Sequence, residues 1–247
     1  MSYPRTIVFC IRSLWHEYGI SFLRRVVLRH PLRTLRGVRH YLRNRDIQDD
    51  AGAGSSSVSL SRSPQGIPRR TIVGLGFCLK PLNPECPSGR ANHLCEYLER
   101  RGASEKLDGS PTACGACQIR ELGQAALEKG CAVYVMTSAR DILFDVLLPA
   151  LEERRFENAM LALCQYSFEP FRIALAVVGL KARLFSFQSG DCRDYQTWLL
   201  ADKGIKQEQT CFTSSHLVEL NELLASGSES GPVLFGKVGN VFFPEGW

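Results

Sequence analysis

The chain has 247 residues, of which 45% are hydrophobic and 22% charged, with a formal net charge of +5. These are the proportions of a folded protein with one main core, and they exclude a disordered tail. Residues 1–50 hold ten arginines, no lysine and four acids, a charge of +6, which leaves −1 on the remainder. A globally basic nucleic-acid-binding body is therefore disfavoured, and nucleic acid is not the expected partner.

At the start, the apolar run from Thr6 to Ile11 is cut short by Arg12 and is followed by no small-residue cleavage site. No secretory leader is expected. The longest apolar stretch, Ile173 to Leu180, falls far below the ~18 residues that a spanning helix needs. A cytoplasmic protein is the expectation, peripheral at the membrane if its basic segment meets lipid. In a reducing compartment, ten cysteines argue for free thiols, metal ligands or redox chemistry rather than a disulfide framework.

Residues 1–45 read as an arginine-rich amphipathic arm. Within residues 20–45 two short helices are expected, broken by Pro31, the first offering Phe22, Leu23, Val26 and Val27 and the second Leu32, Leu35, Val38 and Leu42. Such an arm suits an anionic membrane surface or a protein partner; it also suits packing on its own domain or on a sister subunit. Residues 46–70, with the run Ala51-Gly-Ala-Gly-Ser-Ser-Ser, read as a flexible linker.

Residues 71–247 alternate apolar runs with capped amphipathic segments. Strands are expected at Thr71–Cys78, Cys131–Met136, Asn158–Cys164 and Ala182–Gln188, and helices at Ala91–Arg101, Gln118–Lys129 and after Ser138. Further helices are expected from Ser167 to Gly179, around Tyr195 to Leu199, and over Ser215–Leu224, with a hairpin or edge strand in Val233–Phe243. The fold class is α/β, a mostly parallel sheet with helices on both faces, preceded by the basic helical arm.

In such a sheet, ligands bind beyond the carboxyl ends of the strands. Cys78, Cys164 and Cys192 then arrive at that edge from three different strands, and Cys86 can reach it from the loop after the first. Cys114-Gly-Ala-Cys117 stands before a helix whose N-terminal amides favour thiolate. Four converging thiolates suit an iron–sulfur cluster, and zinc second, through Cys114, Cys117, Cys164 and Cys192, with Cys78 or Cys86 as substitutes. Ser138, Arg140 and Asp191 lie where a polar ligand could be oriented, although Ser138 also fits a plain helix cap. Cys10, Cys95, Cys131 and Cys211 read as small core hydrophobes. Asp202 to Gln209 reads as a charged, solvated turn.

Gly74 and Gly76 lack the third glycine of a dinucleotide fingerprint, and no phosphate loop is present. With only His93 and His216 in the main domain, histidine-based catalysis has few options.

The stretch Cys114-Gly-Ala-Cys117-Gln-Ile-Arg-Glu-Leu122, with the later Leu161-Ala-Leu-Cys164, resembles an uncharacterised family of cysteine-rich prokaryotic proteins over about a fifth of the chain. The sequence departs from that pattern at Gln165-Tyr166-Ser167 and at Thr137-Ser138. The resemblance implies an α/β fold and a shared cysteine site. The expected function is redox or small-molecule chemistry at a metal centre, with an unknown small molecule or redox protein as partner. The alternatives are a non-catalytic docking module tethered by its arm and a metal-free cysteine enzyme using Cys164 or Cys192.

Overall fold

A computed structural model describes residues 3–13, 16–49, 70–102, 112–225 and 235–247. Most of the expected linker lies outside the described residues. The protein is α/β. Its main sheet has the order β4-β3-β1-β2-β8-β7, where β1 is Thr71–Gly76, β2 Ala132–Met136, β3 Asn158–Ala162, β4 Lys181–Phe185, β7 Phe235–Val238 and β8 Val241–Pro244. Strands β1 to β4 pair in parallel, and the β7–β8 hairpin adds antiparallel to β2.

The three inner parallel strands are buried along their whole length, which is why they read as continuous apolar runs. Strand β4 stands at the edge and carries Lys181 and Arg183, charges that discourage pairing with another chain. Gly239, at φ +60°, opens the two-residue turn of the hairpin, a conformation glycine adopts without strain.

Neighbouring strand residues alternate between two cores. Ile72, Tyr134, Ala159 and Leu184 join one with α8 (Phe168–Val178) and with α7 (Ala139–Ile142), which continues through two π turns to Glu153. Val73, Val133, Val135 and Met160 join the other, with α4 (Glu96–Gly102), α6 (Gln118–Glu128) and α10 (Ser214–Ala225). Because side chains of a strand point alternately to opposite faces, one core lies on each side of the sheet.

The expected helix boundaries hold where a cap is local. Ser138 accepts the Asp141 N–H at 3.1 Å to open α7, and Gly179, at φ +76°, ends α8. The helix expected from Ala91 begins only at Glu96. Lys80 Nζ bonds Gly89 O, Asn92 O and Asn92 Oδ1, and Ser88 Oγ takes the Glu96 N–H, so polar contacts hold residues 88–95 in an irregular loop. The fourth expected strand is two: after β4 the chain breaks at Ser186, and β5 (Phe187–Ser189) pairs with β6 (Cys211–Phe212) in a separate ribbon. His216 Nδ1 lies 3.1 Å from Ser186 O at the break.

The arm forms α1 (Tyr3–Ser13), α2 (Glu17–Phe22, prolonged by a π turn to Val27) and α3 (Pro31–Asp49), with Pro31 at the first turn of α3, where its missing N–H costs nothing. It packs on its own domain. Val26 is fully buried in the core beside α7 and α8. Helix α3 lies against α8, where Arg33 donates to Leu151 O and Val178 O and Tyr41 donates to Glu169.

Candidate functional site

Strand β1 is flanked by β2 on one side and β3 on the other, so successive crossovers run in opposite directions and the strand order reverses between β1 and β3. Cys78 lies two residues beyond β1 in a 3-10 turn, Phe77–Leu79, and Cys164 two residues beyond β3, at the start of the 3-10 turn leading to α8. Both therefore flank the crevice in which open α/β sheets bind ligands. Cys192 joins them from the loop before α9 (Tyr195–Asp202). A cavity of about 70 Å³ touches all three thiols and is otherwise walled mainly by apolar groups, Met136, Ile142, Phe171 and Trp198 among them. It has room for roughly five waters, and so for the reacting end of a substrate rather than a dinucleotide.

Cys192 is buried, and its protonated thiol donates to Thr197 O at 3.8 Å. Lys206 Nζ donates to Cys192 Sγ at 3.3 Å, and the Cys164 thiol lies within reach of both that sulfur and the Asp191 carboxylate. The Cys164 hydrogen bond and then the Lys206 charge outweigh desolvation and bring the Cys192 thiol down to about 7. Cys164 is driven upward by the same bond and by burial, so one sulfur of the pair is held as thiolate and the other as thiol. Burial, with a smaller push from Cys192, raises Cys78 against the Thr210 hydrogen bond and the Lys206 and Arg90 charges. Burial opposes the Lys206 charge, but the thiolate beside it raises Lys206 above its ordinary value.

Asp191, one of the expected ligand-orienting residues, belongs to this group. Its carboxylate accepts the backbone N–H of Gln165 at 3.2 Å and of Cys192 at 3.1 Å, tying the Cys192 loop to the turn after Cys164. The other two lie apart. Ser138 caps α7, and its hydroxyl donates to Asp141 Oδ2 at 2.7 Å. Arg140 pairs with Glu17 of the arm at 3.2 Å and stacks over Phe144, so it fastens the arm.

The remaining expected ligands, Cys86, Cys114 and Cys117, do not line this cavity. Cys114 stands in α5 (Thr112–Gly115), and Cys117 is the N-cap of α6. Cys117 and Cys86 act on Cys114, Cys86 and Lys80 act on Cys117, and Cys95 senses Cys117, Lys80 and Cys86. The helix amides of Ile119 and Arg120 do favour the Cys117 thiolate, but desolvation is larger and the thiol is raised. The thiols thus fall into two neighbourhoods, Cys78 with Cys164 and Cys192, and Cys86 with Cys95, Cys114 and Cys117. Among the described residues, no three His, Cys, Asp or Glu side chains are placed to hold a metal ion.

Lys206 escaped the sequence reading, whereas Cys95 is buried in the core as expected. Lys206 sits in the charged segment read as solvated turn, and Arg90 explains why it is not: this guanidinium donates to Cys78 O at 3.1 Å, Glu208 O at 2.7 Å, Lys206 O and Lys80 O. It staples the 206–208 segment to the end of β1. Cys10 is exposed and Cys211 half-buried, unlike the core residues expected there. Replacing Arg90 by Ala removes four hydrogen bonds, although Cys78 O keeps the Thr210 N–H, and a loss of about 2–4 kcal/mol in urea unfolding is expected. The same variant should slow alkylation of Cys192 at pH 7, because Lys206 loses its anchor.

The chain matches no family model, no curated protein and no solved structure, so its function is argued from the site.

Proposed function

We propose that the protein is a thiol-dependent α/β redox protein in which Cys192 is the nucleophile and Cys164 the resolving thiol. The observation that carries this reading is the Cys192 sulfur held between the Lys206 ammonium and the Cys164 thiol at the strand-order reversal. The Cys192 thiolate attacks one sulfur of a disulfide substrate, forming a mixed disulfide and releasing the first substrate thiol after protonation. Cys164 then loses its proton and attacks the Cys192 sulfur, releasing the second substrate thiol and leaving a Cys164–Cys192 disulfide. Two electrons pass to the substrate, and two thiols of the protein become one disulfide. The small apolar cavity selects a substrate whose reacting end is uncharged.

The full chain equilibrated with reduced and oxidised glutathione, then alkylated and digested, tests the reading. A reversible Cys164–Cys192 bridge is expected, with a stable glutathione adduct on Cys192 in the Cys164→Ser variant. Glutathione appearing on other cysteines while Cys192 stays free would overturn it.

A second reading rests on a separate observation: Cys86, Cys95 and Cys117 act on the buried Lys80, and Cys114 senses Cys117 and Cys86. An iron–sulfur cluster or zinc would take these four thiolates. In a tetrahedral zinc site with Zn–S near 2.3 Å, the sulfurs stand about 3.8 Å apart, so residues 80–95 would have to draw inward around a single ion. Iron, zinc and acid-labile sulfide measured on anaerobically purified protein test this reading, and Cys117→Ser should lower the content while Cys192→Ser leaves it unchanged.

A further inference from the structure

Nine of the fifteen large hydrophobic side chains exposed among the described residues lie between Ile7 and Leu42, on the arm. On α3 the packing fixes which side faces outward. Arg33, Gly37 and Tyr41, one helical turn apart in sequence, meet α8 and its flanking carbonyls. At 100° per residue the opposite side of the helix carries Leu32, Leu35, Arg39 and Leu42, and Leu28 in the preceding turn continues the row. Leu28, Leu32 and Leu35 are 67%, 71% and 67% exposed. Exposed Arg29, Arg36 and Arg43 run alongside at seven-residue spacing.

A row of solvated leucines edged by arginines has two obvious partners. A second copy of the same face would bring arginine against arginine, because residues 18–45 contain no acid to answer them. An anionic lipid surface answers both features, since leucines enter the acyl boundary while each arginine near the surface adds to the attraction. No helix among the described residues is long and apolar enough to cross a membrane. We infer that α3 and the turn before it form a docking face for anionic membrane surfaces, on which the protein lies without spanning.

The same arm walls the thiol cluster. Phe9 of α1 is buried against Tyr166, Tyr195 and Trp198, in the cluster that contains Cys192, while Ile7, Val8 and Ile11 on the same helix are exposed. Docking and thiol site are thus joined through one segment, although the docking face does not depend on what Cys192 does.

Sedimentation of the full chain with vesicles tests the inference. Vesicles of phosphatidylcholine with phosphatidylserine should bind it, vesicles of phosphatidylcholine alone should not, and raised salt should weaken the binding. Leu32→Glu with Leu35→Glu, both outward and so compatible with folding, should lower binding at least about tenfold, as should Arg36→Glu with Arg39→Glu. Circular dichroism of each variant confirms that the fold is intact. Equal binding by wild type and the leucine variant, or no binding to anionic vesicles, would overturn the inference. A dimer that the leucine variant splits, without vesicle binding, would assign the face to a second copy instead.

Discussion

Alkylation of Cys192 by iodoacetamide should rise with pH along a curve centred near 7, with half its full rate at neutrality. Below that point the sulfur carries its proton and is inert; above it the thiolate accepts the Lys206 N–H and reacts. Lys206→Met removes the cation at 3.3 Å, and an opposite charge at such range is worth about one to three pH units. The curve should move up by that amount and the rate at pH 7 should fall by about fivefold for one unit and about five-hundredfold for three, while Lys206→Arg keeps most of it. Cys164→Ala, which removes the other donor, should move the curve in the same direction. Cys95 and Cys131, both pushed by burial to about 12, should stay unlabelled at pH 7 in every variant. Peptide mapping reads each site separately. A Cys192 curve centred at or above the ordinary thiol value of about 8.5, or one indifferent to Lys206→Met, would sink the assignment.

Gly37→Val should loosen the arm. A glycine inside a solvated helix normally costs stability against alanine, about 0.5–1 kcal/mol, so its presence in α3 calls for a local reason. The reason is backbone: a Cβ at Gly37 would stand 2.5 Å from both Ala176 O and Val177 Cα of α8. No side chain can swing aside to relieve that contact, and α3 must lift. A loss of about 1–3 kcal/mol is expected, as for other overpacked interiors. It should appear in urea unfolding and as earlier proteolysis within residues 16–49, with Gly37→Ala showing a smaller effect of the same sign. Leu35→Ala, at an outward position, serves as the control and should change neither. If Gly37→Val were as stable as wild type, the close approach of α3 and α8 would be wrong.

The parallel sheet and its edge were legible because their signals are local. Residues 72–76, 132–136 and 159–162 are apolar without interruption, and burial on two faces asks for nothing more. Ser138 and Gly179 announced a helix start and a helix stop in the same way. The arrival of Cys78, Cys164 and Cys192 at one edge followed from strand ends alone.

What escaped depends on partners distant in the chain. The role of Lys206 requires Arg90, 116 residues earlier, to fold its segment back on β1, and nothing in a charged turn reports that contact. The helix start expected at Ala91 was misplaced because three polar bonds from one buried lysine, Lys80, were invisible in the apolar pattern. The expected single ligand set failed to distinguish two neighbourhoods for a related reason: the crossover from β1 to β2 is long, and its path decides where Cys114 and Cys117 come to rest.

The β8 strand sits between β2 and β7, yet its residues are synthesised about sixty residues after those of β4. A nascent chain can pair β1 through β4 as soon as Lys181–Phe185 has emerged, but Val133 and Tyr134 on β2 wait for Phe242 and Val241. During that interval the growing molecule has one finished side and one open, apolar border. Neighbouring chains on the same messenger present the same border at the same moment. The time taken to translate about sixty residues is therefore the period in which this fold is most exposed to pairing with its own copies, and a pause in that stretch would lengthen it.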